Sequence, residues 1–205
     1  MNEKKNGDIT DSKDIIVIDR ILNKGEKQLF SELIEKYKSL VFNLALRMTK
    51  NYSESEELTQ EIFVKVYSKL EDYKVRYKFR DWLYAIASNT ITDRLRKRKF
   101  AFFSIDKPIK TEKKDVYFDF VDIKQTDPEA GLLEKEEKDK ILNLVSGLPV
   151  NYKAVIVLRY FEKLSYEEIA KISKLSLGTV KTRLHRAQKM LQKKIKINNR
   201  NLFIC

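Results

Sequence analysis

The chain has 205 residues, and its 42 Lys and Arg exceed its 30 Asp and Glu, which gives a formal net charge of +12. That length accommodates one or two domains, and the charge points to a polyanionic partner such as nucleic acid. Only 5 Gly and 3 Pro, beside 35% charged residues, favour an all-α fold. The single Cys and single His exclude a disulfide framework and a Cys/His metal site.

The N-terminus is polar and has no apolar core of the kind that a signal peptide requires. No apolar run is long enough to span a membrane, so we predict a soluble, cytoplasmic protein. We expect residues 1–13 to be disordered or frayed. Residues 14–23 are predicted to form a first short helix, although the run Ile15–Ile18 is also compatible with a buried strand.

Between Glu26 and Lys107 there is neither Gly nor Pro, which predicts several long helices. Three apolar stripes at helical spacing divide this stretch, and together they predict a compact helical domain over residues 14–100. The stripes consist of Leu29, Leu33, Tyr37, Leu40, Val41, Leu44 and Met48; of Leu58, Ile62, Val66 and Leu70; and of Trp82, Leu83, Ile86, Ile91 and Leu95.

Residues 101–131 are predicted to be a flexible linker, because Pro108 and Pro128 interrupt a stretch of mixed charge. Its patch Val116–Ile123 is too apolar for a purely solvated tether, and either docks on a partner or folds back as a strand-like segment. A second helical domain is predicted over residues 132–196.

Within that second domain, residues 164–190 have the pattern of a helix-turn-helix. Ser165 and Glu168 form a capping box, and Ser176 is a candidate N-cap for the second helix. That helix turns Val180, Leu184 and Leu191 inward. Its other face carries donors for base edges and phosphates: Lys181, Thr182, Arg183, His185, Arg186 and Lys189. A basic amphipathic helix without DNA contact is the alternative, and the order of the elements disfavours it.

Positive charge is concentrated in two stretches. Residues 171–205 hold ten Lys and Arg and no acid, and residues 74–100 hold nine against Asp81 and Asp93. Two separate basic surfaces predict two separate contacts with nucleic acid.

The first basic stretch interleaves cations with aromatic residues, the combination that binds single-stranded nucleic acid. Its aromatic members are Tyr73, Tyr77, Phe79, Trp82 and Tyr84, and its cations begin with Lys74, Arg76, Lys78 and Arg80. For Trp82 a core position is favoured over a base contact, whereas for the loop Tyr73–Tyr77 both interpretations stay open. Asn89, on the same helix as Trp82, is able to pair with one base edge.

Catalytic patterns are weak. All five glycines are isolated, so no Gly-rich phosphate loop exists. The acidic cluster of Glu54, Glu56, Glu57 and Glu61 is compatible with Mg²⁺, but an acidic helix face that binds a basic partner or is only solvated is favoured. A metal-dependent nucleic-acid enzyme and a stand-alone, dimeric helix-turn-helix regulator therefore remain as alternatives.

Two segments of the chain resemble a known family. The stretches EELTQEIFVKVYSKL (56–70) and FRDWLYAIASNTITDRLRKRK (79–99) closely resemble region 2 of bacterial extracytoplasmic-function (ECF) sigma factors. The stretch LPVNYKAVIVLRYFEKLSYEEIAKISKLSLGTVKTRLHRAQKML (148–191) resembles their region 4, preceded by the lead-in DPEAGLLEKEE (127–137).

The resemblance implies a non-enzymatic specificity subunit of RNA polymerase without a cofactor, whose partners are the core polymerase clamp and flap, promoter DNA and an anti-sigma factor. It implies polymerase docking by Glu57, Leu58, Gln60, Glu61 and Phe63. It implies contacts with the minus-ten element by Tyr73, Lys74, Arg76, Tyr77, Lys78, Asn89, Arg94, Arg96, Lys97 and Arg98. It implies contacts with the minus-thirty-five element by Arg159, Ser165, Gly178, Thr179, Lys181, Thr182, Arg183, His185 and Arg186.

The chain departs from the family pattern at two places. The loop has Val75-Arg76-Tyr77-Lys78 where the family often has a small, Gly- or Ser-containing stretch, which leaves open which base it accepts. The docking pair begins with Glu57 in place of the usual Asp. The domain between regions 2 and 4 is absent, as in the smallest class of sigma factors.

Overall fold

A computed structural model describes residues 3–103 and 141–201, and side chains within residues 13–98 and 141–195. Every regular element in these ranges is helical, which confirms the predicted all-α class. None of these helices is long and apolar enough to cross a membrane. The patch Val116–Ile123, predicted to dock on a partner or to fold back, lies outside the described residues.

We call the first four helices the N-terminal domain and the four helices after residue 140 the C-terminal domain. The first four are α1 (Glu3–Lys24), α2 (Phe30–Thr49), α3 (Tyr52–Ser68) and α4 (Phe79–Phe103). The described part of α5 covers residues 141–146, and α6 (Val150–Ile156), α7 (Tyr166–Ser173) and α8 (Leu177–Asn201) follow. Short 3-10 turns lie at Lys27–Leu29 and Leu70–Asp72.

The N-terminal helix is longer than the sequence predicted. Helix α1 begins at Glu3, so over residues 3–13 the expectation of a disordered or frayed segment is wrong, as is the alternative strand at Ile15–Ile18. Asp14 fastens α1 to α2: its buried carboxylate accepts hydrogen bonds from Lys36 and from the Tyr37 hydroxyl. A buried carboxylate is tolerated here because it is both ion-paired and hydrogen-bonded.

The three predicted apolar stripes meet in the core of the N-terminal domain. Val41, Leu58, Ile62 and Ile91 are fully buried there, on α2, α3 and α4. Helix α3 starts at Asn51, whose side chain accepts a hydrogen bond from the backbone N–H of Glu54 at 2.9 Å. Helix α4 continues to Phe103, three residues past position 100.

Three helical segments end on a lysine rather than a glycine. Lys50 ends α2 with φ 57°, Lys174 ends α7 with φ 52°, and Lys163 follows α6 and its extension with φ 56°. All three have the left-handed backbone conformation that non-glycine residues rarely adopt.

Helix α6 widens at its end into a π-helical turn over Val157–Phe161. Single π turns inside helices often occur at functional sites because they change the direction of the side chains that follow. Here the residue after the turn is Glu162, which points to the N-terminal domain.

The two domains pack on each other. One continuous hydrophobic cluster contains buried residues of both, among them Leu83 and Ala87 from α4 and Val157, Leu164 and Ile169 from the C-terminal domain. Helix α4 contacts both α6 and α7. The fold therefore places the loop before α4 and the helix-turn-helix on one body.

Candidate nucleic-acid interface

Helices α7 and α8 form the predicted helix-turn-helix. The capping box at the start of α7 is confirmed: the Glu168 N–H donates to Ser165 Oγ at 3.1 Å, and the Ser165 N–H donates to Glu168 Oε2 at 2.6 Å. Ser176 caps α8 by accepting a hydrogen bond from the Thr179 N–H at 3.1 Å. Ile169 and Val180 are fully buried and hold the two helices together.

The capping carboxylate has an altered acidity. Burial alone would raise the pKa of Glu168, but the hydrogen bonds from Ser165 and the positive charges of Arg80 and Lys78 outweigh burial and lower that pKa. Arg80 and Lys78 belong to the N-terminal domain. The start of α7 therefore lies within electrostatic range of the start of α4.

The residues predicted to read DNA on α8 lie on the solvent face of this helix. Its polar and cationic side chains are exposed, apart from Thr179 and Arg183, which are half-buried; the predicted members are Gly178, Thr179, Lys181, Thr182, Arg183, His185 and Arg186. The Thr182 hydroxyl donates to the Gly178 carbonyl at 2.8 Å, so that hydroxyl is already engaged. This face is open to a duplex groove.

Two other residues predicted for the same DNA element have structural roles. Arg159 donates to the Leu164 carbonyl at 2.8 Å, and its guanidinium lies 5.0 Å from the ring centre of Tyr166. The Ser165 hydroxyl serves the capping box. Both residues therefore shape the start of α7.

The loop before α4 divides into a buried and an exposed part. Tyr73 is only 7% exposed and packs against Phe79 and Trp82, with ring centres 5.6 and 5.5 Å away. Of the two interpretations left open for Tyr73, its position favours the core, and its ring is not placed for the base contact that the family resemblance implied. Its hydroxyl donates to the Tyr77 carbonyl and fixes the loop. Trp82, for which the sequence favoured a core position, is part of this aromatic cluster.

The exposed part of the loop carries the combination expected for an unpaired strand. Lys74, Arg76, Tyr77 and Lys78 are exposed, and the Arg76 guanidinium lies 4.8 Å from the centre of the Tyr77 ring. Asn89 is exposed on α4. An aromatic face beside cations fits base stacking with backbone neutralisation.

The arginines at the end of α4 are engaged with acids. Arg94 donates to Glu61 at 2.6 Å and lies 3.8 Å from Glu57, and Arg98 pairs with Glu54 at 3.0 Å. The hydrogen bond to Glu61 raises the pKa of Arg94. These two predicted DNA contacts are therefore neutralised by the acidic face of α3.

The other two basic residues predicted to contact DNA at the end of α4, Arg96 and Lys97, differ from Arg94 and Arg98. Arg96 donates to the Asn151 side chain at 2.6 Å, across the boundary between the domains, and lies 3.6 Å from Asp93. Lys97 is exposed. Lys97 lines an open cleft of about 550 Å³ between the start of α3 and the end of α4, together with Asn51, Ser53, Glu54, Glu57, Arg94 and Arg98.

Some of the residues predicted to dock on the polymerase are exposed, and others are buried. Glu57 and Gln60 are exposed and Glu61 is half-buried, whereas Leu58 and Phe63 are 0% and 6% exposed. Leu58 and Phe63 belong to the core, and the sequence prediction of direct docking by them is not supported by their position.

Two apolar residues that the sequence analysis missed are exposed on α3. Val64 is 69% exposed and Tyr67 is 42% exposed. Their spacing from Glu57 and Gln60 along one helix was the available signal. A partner of this face therefore meets acidic and apolar groups together.

The acidic cluster does not form a metal site. In the parts of the chain that the structure describes, no three acidic, His or Cys side chains converge to hold an ion. Glu61 instead accepts a hydrogen bond from Lys65 at 2.7 Å, which lowers the pKa of Glu61, and the bond from Arg94 adds to that effect. Glu61 is therefore engaged by two cationic side chains, Lys65 and Arg94.

Comparison with known proteins agrees with this geometry. The family model for Sigma-70 region 2 matches residues 33–101, and the model for Sigma-70, region 4 matches residues 138–191. The first match covers most of α2 and all of α3, and nearly all of α4; the second covers α6, α7 and the first part of α8.

Proteins that are similar to this chain over most of its length are also sigma factors. The ECF RNA polymerase sigma factor SigW of Bacillus subtilis is 34% identical over 85% of this chain and 93% of its own length. The ECF RNA polymerase sigma-E factor of Haemophilus influenzae is 31% identical over 89% of this chain and 95% of its own. The fold and the sequence together define a sigma factor with regions 2 and 4. The chain belongs to the family of ECF RNA polymerase sigma factors.

Solved structures with the same fold come from complexes. CnrH in complex with the cytosolic domain of CnrY matches with a TM-score of 0.60 and 20% identity, over 89% of this chain and 96% of that one. RpoE of Bartonella quintana, in complex with the anti-sigma factor NepR, matches with a TM-score of 0.61 and 20% identity, over 82% of this chain and 97% of that one.

Proposed function

We propose that this protein is an alternative sigma factor that binds core RNA polymerase, recognises promoters of a specific regulon and melts them. It carries out no catalysis of its own and needs no cofactor. The observation that supports this proposal best is the pair of unlike DNA surfaces on one chain of this family. The face of α8 suits a duplex groove, and the loop before α4 suits an unpaired strand.

The minus-thirty-five element is assigned to α8. Lys181, Arg183, His185 and Arg186 present donors on the open face of this helix, and the backbone at the start of α7 is available to a phosphate. If Arg183 reads a base, Arg183→Ala lowers affinity by about 1–3 kcal/mol and relaxes preference at one base pair. An equal loss on every duplex would instead make Arg183 a backbone contact.

The minus-ten element is assigned to the loop and α4. Tyr77 and Arg76 offer a stacking surface, Lys74 and Lys78 neutralise the strand, and Asn89 pairs with a base edge. Lys97 supports them at the end of α4. Tyr73 acts as a support for the loop rather than as a contact.

Core polymerase is assigned to the solvent face of α3. Glu57, Gln60 and Glu61 provide the polar part, and Val64 and Tyr67 provide apolar area at its side. Leu58 and Phe63 act from beneath by holding the helix in the core. The site of action is the cytoplasm, where the polymerase works.

An anti-sigma factor is the proposed regulator. CnrH and the Bartonella quintana RpoE, which share this fold, were each solved in complex with another protein, the latter with an anti-sigma factor. For this chain such a partner is a proposal. Affinity capture of the full chain from its own cells, followed by a transcription assay with the captured protein, tests it.

The function is tested by transcription in vitro. The purified chain is mixed with bacterial core polymerase and fragmented genomic DNA, and transcript 5′ ends are mapped. New start sites preceded by shared elements about two helical turns apart are expected. An absence of new starts, together with tight duplex binding by the chain alone, would favour a stand-alone helix-turn-helix regulator.

A further inference from the structure

The exposed face of α8 holds a short side chain among long cationic ones. Thr182 is exposed, and so are Lys181, His185 and Arg186 around it on the same helix. The longer side chains carry their N–H donors several bonds away from the backbone. Threonine ends one bond beyond Cβ, so a base edge that contacts Thr182 has to approach the helix backbone closely.

The hydroxyl of Thr182 bonds its own helix. It donates to the Gly178 carbonyl, four residues earlier, at 2.8 Å, which is a known arrangement for threonine in helices. The hydroxyl proton is therefore not available to an acceptor on a base. The same bond fixes the χ1 angle. Because Cβ is tetrahedral, the methyl group of Thr182 lies on a different side of Cβ from the hydroxyl and is held in one direction.

The helix surface beside Thr182 is open. Side chains on a helix lean towards its N-terminus, so Thr182 lies over the turn that contains Gly178. Gly178 is exposed and has no side chain. Beyond its two chain neighbours, the nearest described side-chain atom to a Cβ built at Gly178 is Ser176 Oγ, at 4.0 Å. The glycine therefore leaves a shallow space next to Thr182, which we call the Gly178 recess.

We propose that Thr182 reads a thymine of the minus-thirty-five element through its methyl group, with the C5-methyl group of the base seated in the Gly178 recess. Two observations carry this assignment: the hydroxyl of Thr182 is engaged by the backbone, and the position one turn earlier has no side chain. This readout rests on the proposed function, and it names the base that one side chain of α8 recognises.

Thymine is the base that fits a methyl group. Its major-groove edge carries a methyl group, whereas adenine and cytosine present amino groups there and guanine presents two acceptors. A polar edge pressed against the Thr182 methyl group would lose hydrogen bonds to water without replacement. Two methyl groups in contact instead remove apolar surface from water, which is favourable. The cations around Thr182 suit phosphates and acceptor-bearing bases, so they supply affinity while Thr182 discriminates.

A hydroxyl oxygen that donates its proton still has lone pairs, so the rival readout is an amino group of adenine or cytosine that donates to Thr182. Two substitutions separate these modes. Thr182→Val keeps the shape and a methyl group at the same place and removes the hydroxyl. Thr182→Ser keeps the hydroxyl and removes the methyl group. Readout through the methyl group predicts that serine loses discrimination and valine keeps it.

The test uses the full chain assembled with bacterial core polymerase, on promoters mapped by the transcription assay. Each thymine of the minus-thirty-five element, on either strand, is replaced in turn by deoxyuridine, which lacks only the C5-methyl group. Competition at constant salt gives the affinity for each duplex. At one position, uracil is expected to lower the affinity of the parent about fourfold, the effect of burying one methyl-sized group. Thr182→Val should retain this difference, and Thr182→Ser should bind both duplexes equally.

The recess is tested by filling it. Gly178→Ala adds a Cβ that has room in the free chain, and alanine favours helix more than glycine does. The urea midpoint of this variant is therefore expected to stay the same or to rise. Its added methyl group occupies the Gly178 recess and is expected to abolish the difference between thymine and uracil. Full discrimination by a folded Gly178→Ala chain would show that the base methyl group lies elsewhere and would overturn the proposal.

A threonine on another helix supplies the matched control. Thr59 on α3 donates to the Ser55 carbonyl at 2.7 Å, the same arrangement as in Thr182, and Thr59→Ser is expected to keep the full difference between thymine and uracil. Loss of discrimination in Thr182→Val but not in Thr182→Ser would assign the readout to the hydroxyl and refute the proposal. Equal binding of every uracil duplex by the parent would also refute it. Failure of the parent to transcribe with core polymerase would instead refute the proposed function.

Discussion

The ion pairs between α3 and α4 predict opposite changes in binding to DNA and in binding to core polymerase when their acids are neutralised. Glu54 and Glu61 occupy Arg98 and Arg94, which are proposed DNA contacts, and Glu61 belongs to the face proposed for polymerase. Neutralising both acids by Glu54→Gln and Glu61→Gln is expected to strengthen binding to DNA and to weaken binding to core polymerase. A general loss of folding would weaken both.

The expected size follows from the exposure of these pairs. Arg94 is 41% exposed and Glu61 34%, so solvent screens the attraction, and such a pair contributes roughly 0.2–1 kcal/mol. The pair of Arg98 and Glu54, at 47% and 14% exposure, falls in the same class. DNA binding that no longer has to break two such pairs should gain roughly 2- to 30-fold in affinity.

The assay is fluorescence anisotropy of the full chain with a labelled single strand and a labelled duplex, over a series of salt concentrations. Each arginine that becomes a phosphate contact should steepen the log-log salt dependence by roughly 0.9 on a duplex and 0.7 on a single strand. The control is Glu56→Gln with Glu71→Gln, which removes two exposed acids from the same region without releasing Arg94 or Arg98. Equal DNA affinity and equal salt slope in the two double variants would refute the reasoning.

Three further predictions concern the stability of the chain and promoter melting. Glu168→Gln keeps a capping hydrogen bond but removes the charge. Because folding lowers the pKa of Glu168, its carboxylate stabilises the fold above the pKa of the unfolded chain, and this contribution is lost as pH falls through the lowered pKa. The urea midpoint of the variant should therefore vary less with pH below about 4.5 than that of the parent chain. Leu58→Ala, at a fully buried position, should lower the free energy of unfolding by about 2–5 kcal/mol in urea titration, and a much smaller change would contradict its assignment to the core. Tyr77→Ala should reduce promoter opening, detected by permanganate reactivity of unpaired thymines, by roughly the 1–3 kcal/mol of one stacked base, while duplex binding through α8 stays the same.

The regular periodicity of the chain made the fold accessible from sequence. The stripe on α2 and the inward position of Val180 are determined by local spacing. Leu33, Tyr37, Val41, Leu44, Met48 and Val180 are buried as predicted. The capping box at Ser165 was equally local, since both of its partners lie within one turn. Features that depend on neighbours within four residues could therefore be assigned to particular residues from the sequence.

The electrostatic partners could not be predicted in the same way. Arg47 and Glu162 are separated by 115 residues, and nothing near either of them in sequence marks the other. Likewise, the sequence identified Arg94 and Glu61 as belonging to different surfaces, and their pairing depends on the side-by-side packing of α3 and α4. The position of Tyr73 was left open, because an aromatic residue in a loop fits a base contact and a core contact equally well.

The lysines at left-handed positions have a consequence for engineering. A non-glycine residue in this conformation costs about 1 kcal/mol relative to glycine, and a cation in the last turn of a helix recovers roughly 0.3–1 kcal/mol by opposing the dipole. Replacing Lys174 by Gly would therefore change thermal stability little at low salt and raise it at high salt, where the dipole is screened. At each helix end, the cost of the strained backbone is therefore partly offset by the interaction of lysine with the helix dipole, and that interaction weakens as the ionic strength rises. The ionic strength of the surroundings therefore bears on how firmly the turn of the DNA-reading motif is held.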